Sequence, residues 1–155
     1  MRIGISGHQC APAPVWESIE VTLRARLNGQ ERPVVGVSAL AAGADQLFAR
    51  LILAAGHDLE VVVPCDGYDS TFDDGGATFR SLLVRATKVR HLPFPEPSEE
   101  AFFAAGKAVV DGSDLVLAVW DGKAAKGLGG TADVVAYAKE THVAVEVIWP
   151  EGATR

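Results

Sequence analysis

The stretch DLVLAVWDGKAAKGLGGTADVVAYA, residues 114–138, contains a predicted strand, a glycine-rich loop and a predicted helix. Its first seven residues are almost all apolar, as in a strand that is covered on both faces. The glycines at 127, 129 and 130 come directly before the helix, and ordered glycine usually marks a sharp bend or a close contact. A helix N-terminus exposes free N–H groups to an anion. The stretch therefore predicts phosphate binding in this loop, with a tight loop that binds nothing as the alternative.

Five other segments have a strand-like composition, and helix-length segments separate them. The predicted strands are residues 2–6, 33–38, 59–64, 88–93 and 143–149, in addition to 114–120. In the helical segments apolar residues fall on one face, as Ile19, Leu23 and Leu27 do in the first. This alternation implies parallel strands joined by right-handed crossovers. We therefore predict an α/β fold, a three-layer doubly wound, Rossmann-like parallel sheet, with residues 1–155 forming a single domain.

Composition and charge restrict the class of protein. The chain has 155 residues, of which 48% are hydrophobic and 22% charged, and its formal net charge is −6. Since phosphate contacts dominate duplex binding and no Lys/Arg cluster is present, we expect no duplex nucleic acid as a partner. A small nucleotide-type ligand remains compatible, because a few backbone amides can hold one phosphate.

Targeting signals and metal-binding patterns are absent from the sequence. No apolar run approaches the roughly 20 residues that span a bilayer, so no membrane partner is expected. Cys10 and Cys65 are the only cysteines and lack metal-type spacing. We predict a cytoplasmic protein without a protein-bound metal site.

Candidate site residues follow from the rule that ligands bind at the carboxyl ends of the strands, near the point where strand order reverses. The candidates are Gly7, His8 and Gln9 after the first strand; Ser38, Ala39 and Gly43 after the second; Asp121 and Gly122 after the fifth; and Gly129, Gly130, Thr131 and Asp133 before and within the last helix. His8 has no partner visible in the sequence, so a turn histidine is favoured over a proton carrier. Asp45, just after Gly43, is interpreted as a structural acid in a first helical turn.

Two acids among these candidates have alternative interpretations. Asp121 ends a strand as part of WDG, where it suits a sugar-hydroxyl contact or a simple Asp-Gly turn. Asp133 falls in the first turn of a helix, where it either stabilises the helix dipole or binds a ribose hydroxyl.

The segment CDGYDSTFDDGG, residues 65–76, carries four aspartates close to the predicted phosphate site. These acids either recruit Mg²⁺ as a bridge to phosphate or form a solvated lid with glycine hinges, and the lid is favoured. The sequence predicts no definite cofactor, with Mg²⁺ bound together with a nucleotide phosphate as the alternative. Tyr68 and Phe72 either stack on a base or pack on the core.

The segments GISGHQ (residues 4–9), SALAAGAD (38–45) and SDLVLAVWDGKAAKGLGGTADVVAYA (113–138) together resemble the SLOG superfamily. These Rossmann-like nucleotide-binding proteins are related to DNA-processing protein A and to the cytokinin-activating LOG phosphoribohydrolases. The last segment is also similar to nucleoside 2-deoxyribosyltransferases. The resemblance implies a pocket in which phosphate lies on Gly129, Gly130 and Thr131, helped by Gly43 and the turn at residues 38–39. It also implies that Asp121 contacts the sugar.

One departure from the family pattern bears on function. Aligning Gly130-Thr131 with the family's GT places Val134 where the LOG enzymes and the transferases carry a catalytic glutamate. Valine can neither attack an anomeric carbon nor stabilise an oxocarbenium ion. We therefore expect a sensor or carrier that binds a nucleotide or nucleoside phosphate. The alternatives are an N-glycosidase, phosphoribohydrolase or deoxyribosyltransferase-like enzyme using Asp133 or Asp121, and an oligomeric scaffold with a vestigial pocket. Homo-oligomerisation stays open.

Overall fold

A computed structural model describes residues 1–30, 33–124 and 127–155, so residues 125 and 126 of the predicted loop lie outside the described part. The strands are β1 (Arg2–Gly7), β2 (Val35–Ser38), β3 (Asp58–Cys65), β4 (Lys88–Phe94), β5 (Leu115–Val119) and β6 (Ala144–Ile148). The helices are α1 (Ala13–Asn28), α2 (Ala44–Ala54), α3 (Ala77–Leu83), α4 (Glu99–Asp111) and α5 (Thr131–Glu140), with a 3₁₀ helix at Tyr68–Thr71. Each predicted strand and helical segment is confirmed, with ends that shift by a few residues.

The strands form one parallel sheet in the order β4-β3-β2-β1-β5-β6. From β1 the chain steps outward to β4, then returns across the sheet to β5 on the other side of β1. Strand order therefore reverses between β1 and β5, where Gly7 pairs with Val119. This arrangement confirms the predicted α/β, Rossmann-like fold, and it places the expected ligand crevice at the carboxyl ends of β1 and β5.

Apolar side chains on both faces of the sheet form the core. On the face covered by α1 and α2, Leu23 and Phe48 are fully buried among residues that include Ile3 and Ile5. On the opposite face, the buried residues of α4 and α5 pack on β1, β2, β3 and β5; they include Ala105, Val109, Val110, Val134 and Ala138. Burying one such large side chain stabilises the fold by about 1.5–3 kcal/mol. The two covered faces give the three-layer structure.

Helix α4 begins at the carboxyl edge of the sheet, and its cap was predicted. Ser98 Oγ accepts a hydrogen bond from the Ala101 N–H at 3.0 Å, and Glu99 and Glu100 occupy the first turn. Gly106 lets α5 approach closely, since a Cβ at this position would lie 2.7 Å from Val134 Cγ2. The close contact brings the glycine loop before α5 against the first turn of α4.

No helix within the described ranges is both long and apolar enough to cross a membrane.

Candidate functional site

A cleft of about 830 Å³ opens at the carboxyl edge of the sheet, over the reversal between β1 and β5. Its lining includes the predicted residues Gly7, His8, Gln9, Ala39, Gly129, Gly130 and Thr131. The wall on the β3 side comes from the 3₁₀ helix and the loop after it, including Tyr68, Phe72 and Asp73. The volume lies in the range of small-molecule sites. The carboxyl-end rule therefore located the cleft correctly from sequence.

His8 lies on the cleft wall, and its buried ring contacts the buried Asp121 side chain and the partly exposed Arg155 side chain. His8 is 7% exposed and the Asp121 side chain 3%. His8 Nε2 lies 3.2 Å from Asp121 Oδ1, and His8 Nδ1 lies 3.2 Å from Arg155 Nη1. A guanidinium only donates, so in one tautomer Nδ1 accepts from Arg155 and the ring proton sits on Nε2, facing the Asp121 carboxylate. In the other tautomer Nε2 accepts from the Asp121 N–H, with 3.1 Å between the two nitrogens. The ring is neutral in both tautomers.

The surroundings of this cluster set its charges. Burial and the Arg155 charge lower the pKa of His8 and outweigh Asp121, which raises it. Burial acts to raise the pKa of Asp121, but the Lys123 N–H, His8 and Arg155 together hold it below its usual value. Asp121 Oδ2 accepts no hydrogen bond from the described residues, and Arg155 Nε lies 3.4 Å from it. A neutral His8 and an ionised Asp121 therefore hold the Arg155 cation at the edge of the cleft.

Asp121 was predicted to contact a sugar or to form a turn, and the structure places it in a turn. Its Oδ1 accepts from the Lys123 N–H at 3.0 Å, and its carboxylate lies behind His8 rather than on the cleft surface. Gly122 has a φ of +83° with open space around it, so the turn itself requires the glycine. Arg155 was missed, because nothing local to its position in the sequence points to a partner near the other end of the chain.

Ser38 and Gly43 support the cleft wall from behind. Ser38 Oγ donates to the Asp45 carbonyl oxygen and accepts from the Leu40 N–H, at 3.2 and 3.0 Å. Gly43 has a φ of +82°, and a Cβ there would lie 2.6 Å from the His8 carbonyl oxygen. Ser38 therefore ties the loop before α2 to the first turn of that helix, and Gly43 lets the same loop lie against the loop after β1.

The glycine loop before α5 is closed by Asp133. The Gly129 N–H donates to Asp133 Oδ2 at 2.9 Å, and Gly129 has a φ of +88°. Thr131, the first residue of α5, is buried and lines the cleft, whereas Asp133 does not. Of the two interpretations of Asp133, this geometry supports the structural one, an acid that stabilises the start of α5, over the contact to a ribose hydroxyl.

The sequence did not indicate that Asp45 is buried in the wall of the cleft. Asp45 is 6% exposed, lines the cleft from the first turn of α2, and accepts from the Ala41 N–H at 3.3 Å through Oδ2. No ion pair to it occurs in the described part of the chain. Burial raises the pKa of Asp45 to about 7, against a smaller opposing effect of the Ala41 hydrogen bond.

The aromatic residues of the acidic segment pack on the core and still line the cleft. Tyr68 meets the rings of Phe72 and Phe79 edge-on, at 5.0 and 5.2 Å between centroids, and Phe102 lies 6.0 Å away. Among the acids, Asp74 accepts from the N–H groups of Gly76 and Thr78 at 2.9 and 3.0 Å. Within the ranges described, no three or more His, Cys, Asp or Glu side chains converge on a point that could hold a metal.

The fold and the cleft define a Rossmann-like α/β protein with a small-molecule-sized cleft at its strand-order reversal. Two of the similar solved structures are of proteins called DNA processing protein A. DNA processing protein A from Streptococcus pneumoniae superimposes with a TM-score of 0.71 at 18% identity, covering 97% of this chain and 51% of that one. The protein of the same name from Helicobacter pylori gives 0.74 at 16% identity, covering 99% and 68%. The chain therefore spans about half the length of the pneumococcal protein.

A third similar structure, named TM1055, gives a TM-score of 0.60 at 14% identity, covering 93% of this chain and 71% of that one. No family model and no curated protein sequence matches the chain. At these identities the likeness shows a shared fold. It supports the part of the sequence resemblance that concerned DNA-processing protein A, while no comparison shows the similarity to nucleoside 2-deoxyribosyltransferases.

The comparisons correct the prediction on partners. The sequence analysis excludes duplex nucleic acid because the acidic chain has no Lys/Arg cluster, and it expects only a small nucleotide-type ligand. The H. pylori structure is described as showing a single-stranded DNA binding mode, and this contradicts the exclusion of a nucleic-acid partner. Net charge misled because single strands are also bound by base stacking and by local grooves, which the charge of the whole chain does not report.

Proposed function

We propose that the cleft binds a nucleotide-type ligand, with a phosphate at the N-terminus of α5. The observation that carries this proposal is that Gly130, Thr131 and the Arg155 side chain line the same cleft. A helix N-terminus presents N–H groups and a positive dipole end, and a guanidinium forms charge-assisted hydrogen bonds with phosphate.

Charges along the cleft favour one orientation of such a ligand. Lys123 and Arg155 line it beside β5, whereas Asp73 and Asp74 line it beyond the end of β3. Because β2 and β1 lie between β3 and β5, these two ends are about 14 Å apart. A ligand with its phosphate beside β5 and its planar base near Phe72 and Phe102 matches this distribution.

Binding without turnover fits the three positions considered for a catalytic carboxylate better than hydrolysis does. Val134, at the position of the family's glutamate, is 2% exposed and packs with Val110 and Val116. Asp133 and Asp121, the replacements considered above, are both engaged in contacts within the protein. We therefore favour a sensor or carrier over an N-glycosidase.

Single-stranded nucleic acid is the second candidate ligand. The supporting observation is the likeness, over 99% of this chain, to a protein described as binding single-stranded DNA. A nucleotide at the end or within a strand offers the same phosphate and base as a free nucleotide, and aromatic side chains such as Phe72 can stack on its base.

Calorimetry with AMP, GMP, CMP, UMP and a 12-nucleotide DNA strand tests both candidates, using Gly130→Val and the control Ala136→Val. Gly130 has a φ of −69°, which valine can adopt, so the variant should fold and act only through the space it takes from the cleft. Ala136 is an exposed residue of the same helix. We expect the wild type and Ala136→Val to bind at least one mononucleotide, and Gly130→Val to lose at least tenfold in affinity.

The other outcomes of this experiment are also decisive. Binding of the DNA strand alone would replace the first candidate with the second. Unchanged affinity of a folded Gly130→Val protein, or binding of neither class by the wild type, would overturn the proposal.

A further inference from the structure

Among the residues that the structure describes, the cleft contains one carboxyl group that is more than nine-tenths buried and has no cation beside it, Asp45. Its Oδ2 accepts a single long hydrogen bond, 3.3 Å from the Ala41 nitrogen. Its Oδ1 accepts no hydrogen bond from the described residues and is not fully enclosed. Since Asp45 lines the cleft, a ligand in the cleft can approach that oxygen.

The two other acids considered for the site, Asp121 and Asp133, have partners within the protein. Asp121 lies beside His8 and Arg155 and accepts from the Lys123 N–H, and Asp133 accepts from the Gly129 N–H. Removing a carboxylate from water without enough donors is costly, and a donor brought by a ligand would offset that cost. Unlike Asp121 and Asp133, Asp45 has a carboxylate oxygen to which a ligand can donate a hydrogen bond.

The position of Asp45 along the cleft selects the part of the ligand that it meets. It follows β2, so it lies between the proposed phosphate end beside β5 and the aromatic residues after β3. A nucleotide bound in the proposed orientation places its sugar and the near edge of its base there. Ribose hydroxyls and the exocyclic amino groups of bases are hydrogen-bond donors, the partners that an ionised carboxylate requires.

We propose that Asp45 binds the nucleoside part of the ligand, accepting a hydrogen bond from a hydroxyl or amino group, so that binding is coupled to the ionisation of Asp45. This inference rests on the proposed function. Tyr68 from the 3₁₀ helix faces Asp45 and is neutral when protonated. Burial raises the pKa of Asp45 to about 7, and that of Tyr68 is also raised, by burial first and then by Asp45 and Cys65. Of these two groups, Asp45 is the one that changes charge near neutral pH.

The test is the affinity for AMP between pH 5.5 and 8.5, measured for the wild type, Asp45→Asn and the control Asp58→Asn. Asp58 is exposed at the start of β3, on the opposite edge of the sheet. For the wild type and the control, affinity should rise about tenfold from pH 6 to pH 8, because the ionised carboxylate is the stronger acceptor and carries no proton that competes with the ligand's donor. Asp45→Asn should bind about tenfold more weakly at pH 8. Any remaining pH dependence in that variant reports the phosphate of AMP itself.

A second measurement does not require a variant to fold. Carbon NMR of the Asp45 carboxyl group in the wild-type protein should show titration near neutral pH, and saturating AMP should lower its pKa by at least one unit. A carboxyl pKa that AMP leaves unchanged overturns the inference, as does an affinity that falls with pH or an Asp45→Asn protein with the wild-type profile. If the wild type binds no nucleotide at any pH, the proposed function itself fails.

Discussion

At the scale of single residues, two buried aspartates near the cleft have opposite electrostatic surroundings. Asp121 is held ionised by a cation and by donors on neighbouring segments, whereas Asp45 has one long hydrogen bond and no ion pair in the described residues. The same residue type therefore has two roles: Asp121 is a fixed negative charge beside Arg155, and Asp45 is a titratable group.

The raised pKa of Asp45 predicts how stability depends on pH. Between about pH 4 and pH 7 the folded state binds more protons at this site than the unfolded state, so the free energy of unfolding falls as pH rises through this window. Asp45→Asn removes the effect. Relative to the wild type, its free energy of unfolding should rise by on the order of 2–4 kcal/mol from pH 4 to pH 8. Urea unfolding at pH 4, 6 and 8 measures this difference, with Asp58→Asn controlling for the loss of one negative charge. A difference that stays constant with pH would contradict the assignment.

At the scale of elements, the contact between α4 and α5 decides the shape of the phosphate end of the cleft. Gly106 faces Val134, and Gly129 lies against the α4 backbone at Glu99 and Phe103. The loop before α5 is thereby fixed by the first turns of α4. Val134 contributes to this packing, so its side chain has a structural use at the position that the sequence resemblance aligns with a catalytic glutamate.

Gly106→Ala should destabilise the protein by about 1–3 kcal/mol, even though alanine favours helix by about 1 kcal/mol relative to glycine. The added Cβ would lie 2.7 Å from Val134 Cγ2, on a stiff β-branched side chain that is buried. Thermal unfolding of the variant measures the loss. Adding Val134→Ala in the same chain should recover part of it, because the clashing methyl group is removed. An additive double variant would show that the two residues are not coupled.

At the scale of the whole molecule, the sheet brings loops from distant parts of the chain to one edge. The reversal between β1 and β5 opens the cleft, and the return of the chain after β6 places Arg155 beside His8. Affinity for a phosphate can arise from this assembly alone. Catalysis would further require a carboxylate positioned to stabilise the transition state more than the substrate.

We expect no release of free base when the protein is incubated with the four ribonucleoside monophosphates and their deoxy forms. Losing a catalytic acid or base costs on the order of 10²–10⁴ in rate, and without a nucleophile the covalent route is closed. Chromatography of the reaction mixture measures the product. Turnover that is lost in Asp133→Asn or in Asp121→Asn, while the variant stays folded, would assign the role to that residue and favour the enzyme.

The strands, the helices, the Ser98 cap and the parallel α/β class were predictable, because they depend on patterns among residues close together in the chain. The same patterns, with the carboxyl-end rule, placed Gly7, Gly130 and Thr131 on the cleft. What only the tertiary structure decided is which side chains meet. His8 and Arg155 are 147 positions apart, and the packing of α2 buries Asp45 with no ion pair to any of the described residues. A local pattern specifies where a residue lies on its own helix or strand, but its charge and its free lone pairs depend on partners that folding brings from elsewhere in the chain.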